Sequence, residues 1–481
     1  MTAPRIVLGL EALAVIAVLT LLSACAGTGG IAPQAKTANA NALAATRTLA
    51  TTPVADAAWP AQDWWKAYGD AQLDKLVAEA LEGSPSMRIA DARVRKALAV
   101  AGVADAARAP QVNANASATW QRYPEHGLYP PPYAGSTRAS ADLGATLSYD
   151  LDLFGRHRAA YEAALDEAHA AEVDRQMARL FLSAAVVKAY VELQHIDAQR
   201  EVAAALLKQR EQLATLVRQR QAAGIDSLVE VRQAEAALPE ARERLVQLEE
   251  TDATTRHRIA ALLGQGPDRG LALGKPQLRV ASAALLPTTV PADLLGRRPD
   301  IVGLRWRIEA AGKGIEAARA EFYPNVNLVA LAGLSSIGLP NLLQAGSLNA
   351  SVTPAIHLPI FEGGRLRANL AGKAADYDQA VETYNQALSL ALREVADPLA
   401  AFRTVAAQRR EFDEGLRVAR DAYDLALLRY REGLGNYLQV LSAESQVLNQ
   451  RNLEADLAAR ELTASVDLAR ALGGGYDPQH S

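Results

Sequence analysis

The sequence predicts a mainly α-helical chain built from a duplicated half, with long coiled-coil helices and four β-strands of membrane-spanning length. Three observations carry that prediction. A repeat holds its frame over most of the chain, two helical stretches are too long for a compact domain, and four segments alternate apolar and polar residues. The composition agrees: the chain has 481 residues, 50% hydrophobic but only 5% aromatic. Apolar bulk made of Ala, Leu and Val favours close helix packing over an aromatic core.

At the N-terminus, Arg5 precedes an apolar run from Ala12 to Leu22, too short to span a bilayer as a permanent helix. Leu22-Ser23-Ala24-Cys25 follows and resembles a bacterial lipobox, whose Cys thiol takes a diacylglycerol. Residues 1–24 therefore read as a lipoprotein signal peptide and Cys25 as the lipidation site, the chain's one cysteine. Ala26 comes next, and the lack of Asp there implies outer-membrane sorting. Residues 25–58, rich in Ala, Thr, Asn and Gly, read as a lipidated flexible tether.

The folded region opens at 59–80, and two repeats follow, 81–264 and 294–474, joined by a linker at 265–293 and followed by a tail at 475–481. Pro85 matches Pro299, Arg93 matches Arg307 and Pro110 matches Pro324 at one offset; Arg156 matches Arg365, Arg220 matches Arg429 and Gly224 matches Gly433 at another. Each repeat begins with a helix whose first position is Pro85 or Pro299, where a missing N–H costs nothing. Strands are expected at about 110–120, 139–153, 324–334 and 348–361, the third with the weakest alternation. Between the first two, Trp120, Tyr123, Tyr129 and Tyr133 suit an interfacial aromatic belt.

"SYDLDLFGRHR" and "HLPIFEGGRLR" mark two strand-to-helix junctions, at Phe154, Gly155 and Arg156 and at Phe361, Gly363, Gly364 and Arg365. From Arg156 to Ala222 no strong breaker occurs, which at ~1.5 Å per residue gives a helix of about 100 Å. Its partner carries Val231, Ala234, Leu238, Ala241, Leu245 and Leu248 at alternating steps of three and four, a coiled-coil seam. Pro239 and Pro398 fall inside helical stretches, so a kink or interruption is expected at both.

Four strands cannot close a membrane barrel alone, and an open edge in hydrocarbon leaves main-chain groups unsatisfied. Several chains must share the barrel, each sending its long helices away on one side. With these features the sequence resembles the outer membrane efflux protein family (TolC-like factors) in its NodT-like lipoprotein branch. The match rests on Trp64-Trp65, Gly69-Asp70, Gln72-Leu73, the two junctions with Leu151-Asp152-Leu153, Arg297-Arg298-Pro299-Asp300, and Arg429-Tyr430 with Gly433.

The resemblance implies homotrimers in which four strands per chain build a shared twelve-stranded barrel, while the helices form a periplasmic tunnel. It implies docking to a periplasmic adaptor and an inner-membrane transporter, outer-membrane lipid as surroundings, and passive exit of small molecules. Arg220 with Gly224 and Arg429 with Gly433 would lie at the adaptor-docking tip. Leu438 aligns with the apolar ring of the family's constricted entrance, while Gln439 and Ser442 stand where relatives often carry acids, which puts an acidic gate in doubt. Neither a catalytic motif nor metal-ligand spacing among the seven His residues is present, so no enzyme activity, metal or cofactor beyond the lipid on Cys25 is expected. The charge of −4 is interspersed and leaves no basic stripe for nucleic acid. Alternatives are a protein-secretion duct of the same fold and a structural coiled-coil envelope lipoprotein.

Overall fold

The computed structural model describes residues 27–39, 42–43, 59–279 and 296–477. The lipobox, Cys25 and residues 280–293 of the linker lie outside them. After a 3₁₀ turn at Trp64–Tyr68 come α1 (Ala71–Gly83), α2 (Pro85–Ala106), β1 (Gln111–Arg122), β2 (Thr137–Asp150), α3 (Arg156–Ala222), α4 (Leu228–Leu262) and the short α5 (Asp268–Leu271). The second half repeats the order with α6 (Pro299–Ala320), β3 (Asn325–Ile337), β4 (Leu348–His357), α7 (Arg365–Arg431) and α8 (Tyr437–Ala471).

Two compact units are formed. The first comprises the described parts of Met1–Thr37, Arg93–Ala171 and Leu304–Tyr384; the second, those of Ala38–Ala92, Glu172–Gly303 and Asn385–Ser481. The first unit holds a single antiparallel sheet in the order β1-β2-β3-β4. Its register assigns each face. Val112, Leu147, Ala330 and Val352 form one cross-strand row, and Ala116, Leu143, Leu334 and Leu348 another, so the apolar sides of all four strands coincide. That face is bare within one chain: Trp120 is 75% exposed, Val352 70% and Ile356 74%. The opposite face carries Asn113, Thr146 and Ser351, and Ser117, Asp142 and Ser335 in a further row. Trp120 suits an interfacial belt, but Tyr123 is buried, its ring edge-on to Tyr129 at 4.7 Å under the β1–β2 loop.

The second unit has its largest core where Trp64, Trp65, Tyr68, Leu73 and Leu76 pack on Tyr190 of α3, Leu273 and Leu278 of the linker, and Leu462 of α8. Asp70 organises it, accepting from the N–H groups of Gln72 and Leu73 as the N-cap of α1, from Tyr190 Oη at 3.0 Å and from the Gln277 N–H at 2.8 Å. Buried Arg298 plays that part in the second half, paired with Asp300 and Glu394 and donating to the Ala471 carbonyl. Here α3 contacts α4 through Arg210–Glu240 and α8 through Lys188–Asp467, and α8 contacts α7 through Arg409–Glu461. Toward the helix–helix turns α3 also meets α7, where Arg220 donates to the Arg431 carbonyl.

Two expectations are revised. Of the kink or interruption expected at each proline, an interruption does not occur: α4 runs through Pro239 and α7 through Pro398. Val395 and Leu399 are buried on either side of Pro398, so packing offsets the lost hydrogen bond. Residues 27–39, inside the expected flexible tether, instead form an extended strap. The N–H groups of Gln34 and Ala35 donate to Asp378 Oδ1, both at 2.8 Å, and that of Ala38 to Asn385 Oδ1 at 2.7 Å. Ile31 packs with Ile315, Phe322 and Leu370. Composition alone misses this because the acceptors lie on α7, far along the chain.

Gly144 and Gly333 face each other across β2 and β3. A Cβ on Gly333 would stand 2.5 Å from the Leu143 carbonyl oxygen and 2.7 Å from Gly144 Cα. Gly333→Ala is therefore expected to destabilise the sheet by roughly 1–3 kcal/mol, read as a lower unfolding midpoint of the detergent-solubilised protein. An unchanged midpoint would contradict this close approach.

Candidate functional site

The two helix–helix turns are built by similar backbones and different side chains. At the first, Gly224 takes φ +75° and the Ile225 N–H returns to the Arg220 carbonyl at 2.9 Å. Ser227 then caps α4 in a capping box with Glu230. At the second, Gly433 takes φ +76°, the Leu434 N–H bonds the Arg429 carbonyl at 2.8 Å, and Asn436 caps α8.

The two arginines diverge. Arg220 is 7% exposed and turned inward. Its Nε donates to Asp226 Oδ2 at 3.0 Å, its Nη1 to the Arg431 carbonyl at 3.1 Å, and its guanidinium lies 4.3 Å over the Tyr430 ring. The Tyr430 hydroxyl donates to the same Asp226 carboxylate. Burial, reinforced by the Asp226 charge, pushes that hydroxyl's pKa up and keeps its proton in place. Arg429 is exposed and donates only to the nearby Leu434 carbonyl at 3.3 Å. At the position equivalent to Asp226 the second repeat has Gly435, so no acid draws Arg429 in.

Around these turns Leu213 and Val217 of α3, Val231 and Ala234 of α4, Tyr430 of α7, and Tyr437 and Val440 of α8 form one core. Leu438, at 57% exposure, together with Gln439 and Ser442 occupies the uncovered face of α8, opposite Tyr437, Val440 and Glu444. Glu444 is 2% exposed and accepts from Arg210 Nε at 3.3 Å, while Arg210 Nη1 donates to Glu240 and to the Ala237 carbonyl, each at 2.9 Å. Burial raises the Glu444 carboxyl pKa, and Arg210 opposes the shift. Sequence reading missed this pair, because two charged residues in separate helices give no local sign of meeting.

At the first strand–helix junction Gly155 takes φ +73° and Asp152 φ +44°. The Asp152 carboxylate accepts from the N–H groups of His157 and Arg158 at 3.0 and 2.8 Å, satisfying donors in the first turn of α3. Asp150 Oδ2 gathers Arg156 Nη2 at 3.1 Å, His157 Nε2 at 2.9 Å and Asn325 Nδ2 at 2.9 Å. Phe154 stacks on Tyr323 at 4.7 Å. At the second junction Gly363 and Gly364 have φ +55° and +88°, Arg365 pairs with Glu362 at 2.9 Å, and Phe361 is 89% exposed. The structure thus brings both junctions to one end of the sheet, and both arginines there are held by carboxylates.

Arg220→Ala removes one partner of a buried pair and should cost roughly 3 kcal/mol, whereas Arg429→Ala should stay within about 0.5 kcal/mol. Amide exchange across residues 218–232 measures the difference. Equal protection in the two variants would contradict the inward role of Arg220.

Comparison with known proteins places this geometry. The profile of the family described as outer membrane efflux protein matches residues 76–265 and again 290–474. The fusaric acid resistance protein FusA of Burkholderia cepacia is 42% identical over 370 residues, covering 76% of this chain and 70% of that protein. The toluene efflux pump outer membrane protein TtgF of Pseudomonas putida is 34% identical over 422 residues, 86% of each chain. Among solved structures, the outer membrane protein VceC of Vibrio cholerae superposes with a TM-score of 0.82 at 36% identity, covering 87% of this chain and 100% of that one.

Proposed function

The chain belongs to the outer membrane efflux protein family, and we propose that three copies form the exit duct of a tripartite pump, joined to a periplasmic adaptor and an inner-membrane transporter. The protein is an outer-membrane component of an efflux system.

The observation that carries the trimeric reading is the four-stranded sheet with β1 and β4 as its free edges and a bare apolar face. A neighbour's β4 laid against β1 continues the antiparallel alternation, and three chains close the ring. Exposed apolar side chains on α7 support the same assembly: Val418, Leu425 and Leu428 are 50%, 58% and 56% exposed.

The energy for transport is assigned to the transporter, and this chain supplies a shaped, water-filled path. Leu438, Gln439 and Ser442, on the uncovered side of α8, are assigned to the constricted entrance. A ring of hydroxyls and amides there favours cations less than a ring of acids. Arg429, Gly224 and Gly433 are assigned to adaptor contact; Arg220 contributes by shaping its turn.

We assign a lipid anchor to Cys25. Gly27, two residues later, accepts from Arg367 Nε at 3.2 Å in the first turn of α7, beside the end of β4. That position suits acyl chains entering the adjacent leaflet, each buried CH₂ adding about 0.8 kcal/mol.

Leu438→Ala is expected to make the channel leakier, with greater uptake of large antibiotics by cells and higher basal conductance in bilayers; unchanged values would argue against this placement of the entrance. Cys25→Ser should abolish incorporation of labelled palmitate and weaken membrane retention. Labelling that survives the substitution would show the lipobox assignment to be wrong.

A further inference from the structure

We propose that Asp142, in the middle of the sheet's polar face, sets the charge preference of the barrel. The inference rests on the trimeric reading above. The register places Asp142 in one row with Ser117 and Ser335, on the face opposite the bare apolar one. In a membrane barrel that face lines the lumen. Between the strand ends, Asp142 is the only acidic side chain on it among the described residues; the cation Arg138 stands on the same face beside the start of β2, opposite Gln121 and four residues from Asp142, about 13 Å along the strand.

Its partners are neutral. Ser335 Oγ donates to Oδ1 at 2.7 Å and Ser117 Oγ to Oδ2 at 3.3 Å, and the residue remains exposed. The hydroxyls fix the carboxylate's direction without cancelling its charge. Asp150, nearer the sheet end, has Arg156 Nη2 at 3.1 Å. The acids flanking the second junction are likewise offset, Glu362 lying 2.9 Å and Glu321 3.7 Å from Arg365. Asp142 is thus the one carboxylate along the polar face whose charge is not balanced locally.

Three copies make a ring. Twelve strands about 4.7 Å apart and tilted about 40° enclose a backbone radius of roughly 12 Å. With side chains projecting inward and a screening length of about 8 Å in physiological salt, an ion on the axis feels all three carboxylates. The assigned entrance residues Leu438, Gln439 and Ser442 are uncharged and add no fixed charge of their own.

The test is the reversal potential of the full-length protein in a planar bilayer under a KCl gradient. The parent should prefer cations. Asp142→Asn should lower the K⁺/Cl⁻ permeability ratio by roughly fourfold, the scale of three screened charges at that distance. Asp142→Glu should keep the parent ratio. So should Ser335→Ala, which removes a hydrogen bond and leaves the charge. A ratio unchanged in Asp142→Asn, or lowered equally in Ser335→Ala, would overturn the proposal. A second measurement needs no variant: the parent's cation preference should fade between 0.1 and 1 M salt, where screening shortens from about 10 to about 3 Å. A salt-independent preference would also overturn it. Absence of any conducting channel from the parent would strike at the trimeric barrel itself, and so is distinguishable from failure of the Asp142 assignment.

Discussion

Among the described residues of one chain, the outer main-chain groups of β1 and β4 have no partner strand, and in hydrocarbon each unsatisfied group costs several kcal/mol. This constraint governs the rest of the molecule. A sheet of four strands is too narrow to curl shut, so its edges must meet edges from elsewhere. Exposed apolar side chains recur on the helices, at Val418, Leu425 and Leu428 of α7 and at Val229 and Val246 of α4. The proposed ring of three chains answers the requirement of the edges by giving each edge strand a partner.

Duplication supplies the material, and divergence assigns the work. The two repeats share helix lengths and turn backbones: α3 and α7 each have 67 residues, α4 and α8 each 35. Their charged side chains differ. Asp226 fixes Arg220 in the first turn, and Gly435 leaves Arg429 free to face outward in the second. Arg210 reaches Glu444 where the equivalent position in the second repeat is Ala419. A symmetrical scaffold thereby becomes an asymmetric one, with one turn braced and the other available.

What was legible in the sequence follows from how local each signal is. The bounds of α3 were readable because Gly155 and Gly224 punctuate an unbroken helical run, and the strand faces because alternation has period two. The register of β2 on β3 was not, since it depends on two repeats meeting at Gly144 and Gly333. The resemblance placed Arg220 with Gly224 at the docking tip, a placement that carries no information on which way the side chain turns. Only the fold shows Asp226 and Tyr430 closing over it. Helix continuity at the prolines was not legible for a related reason: the local cost of a missing N–H is real, but packing such as that of Val395 and Leu399 around Pro398 offsets it.

The strap at residues 27–39 has a consequence for how this protein can change over time. Beside the packing of Ile31, three of its own N–H groups hold it, bonded to Asp378 and Asn385 on α7. Recognition of that kind is indifferent to side-chain identity, which every residue but proline satisfies equally. Gln34, Ala35 and Ala38 can therefore change identity at little cost to these bonds, while the two acceptors on the helix stay under selection. Among relatives, the lasting record of this contact would then be written on α7, in a segment whose own composition gives no hint of what lies against it.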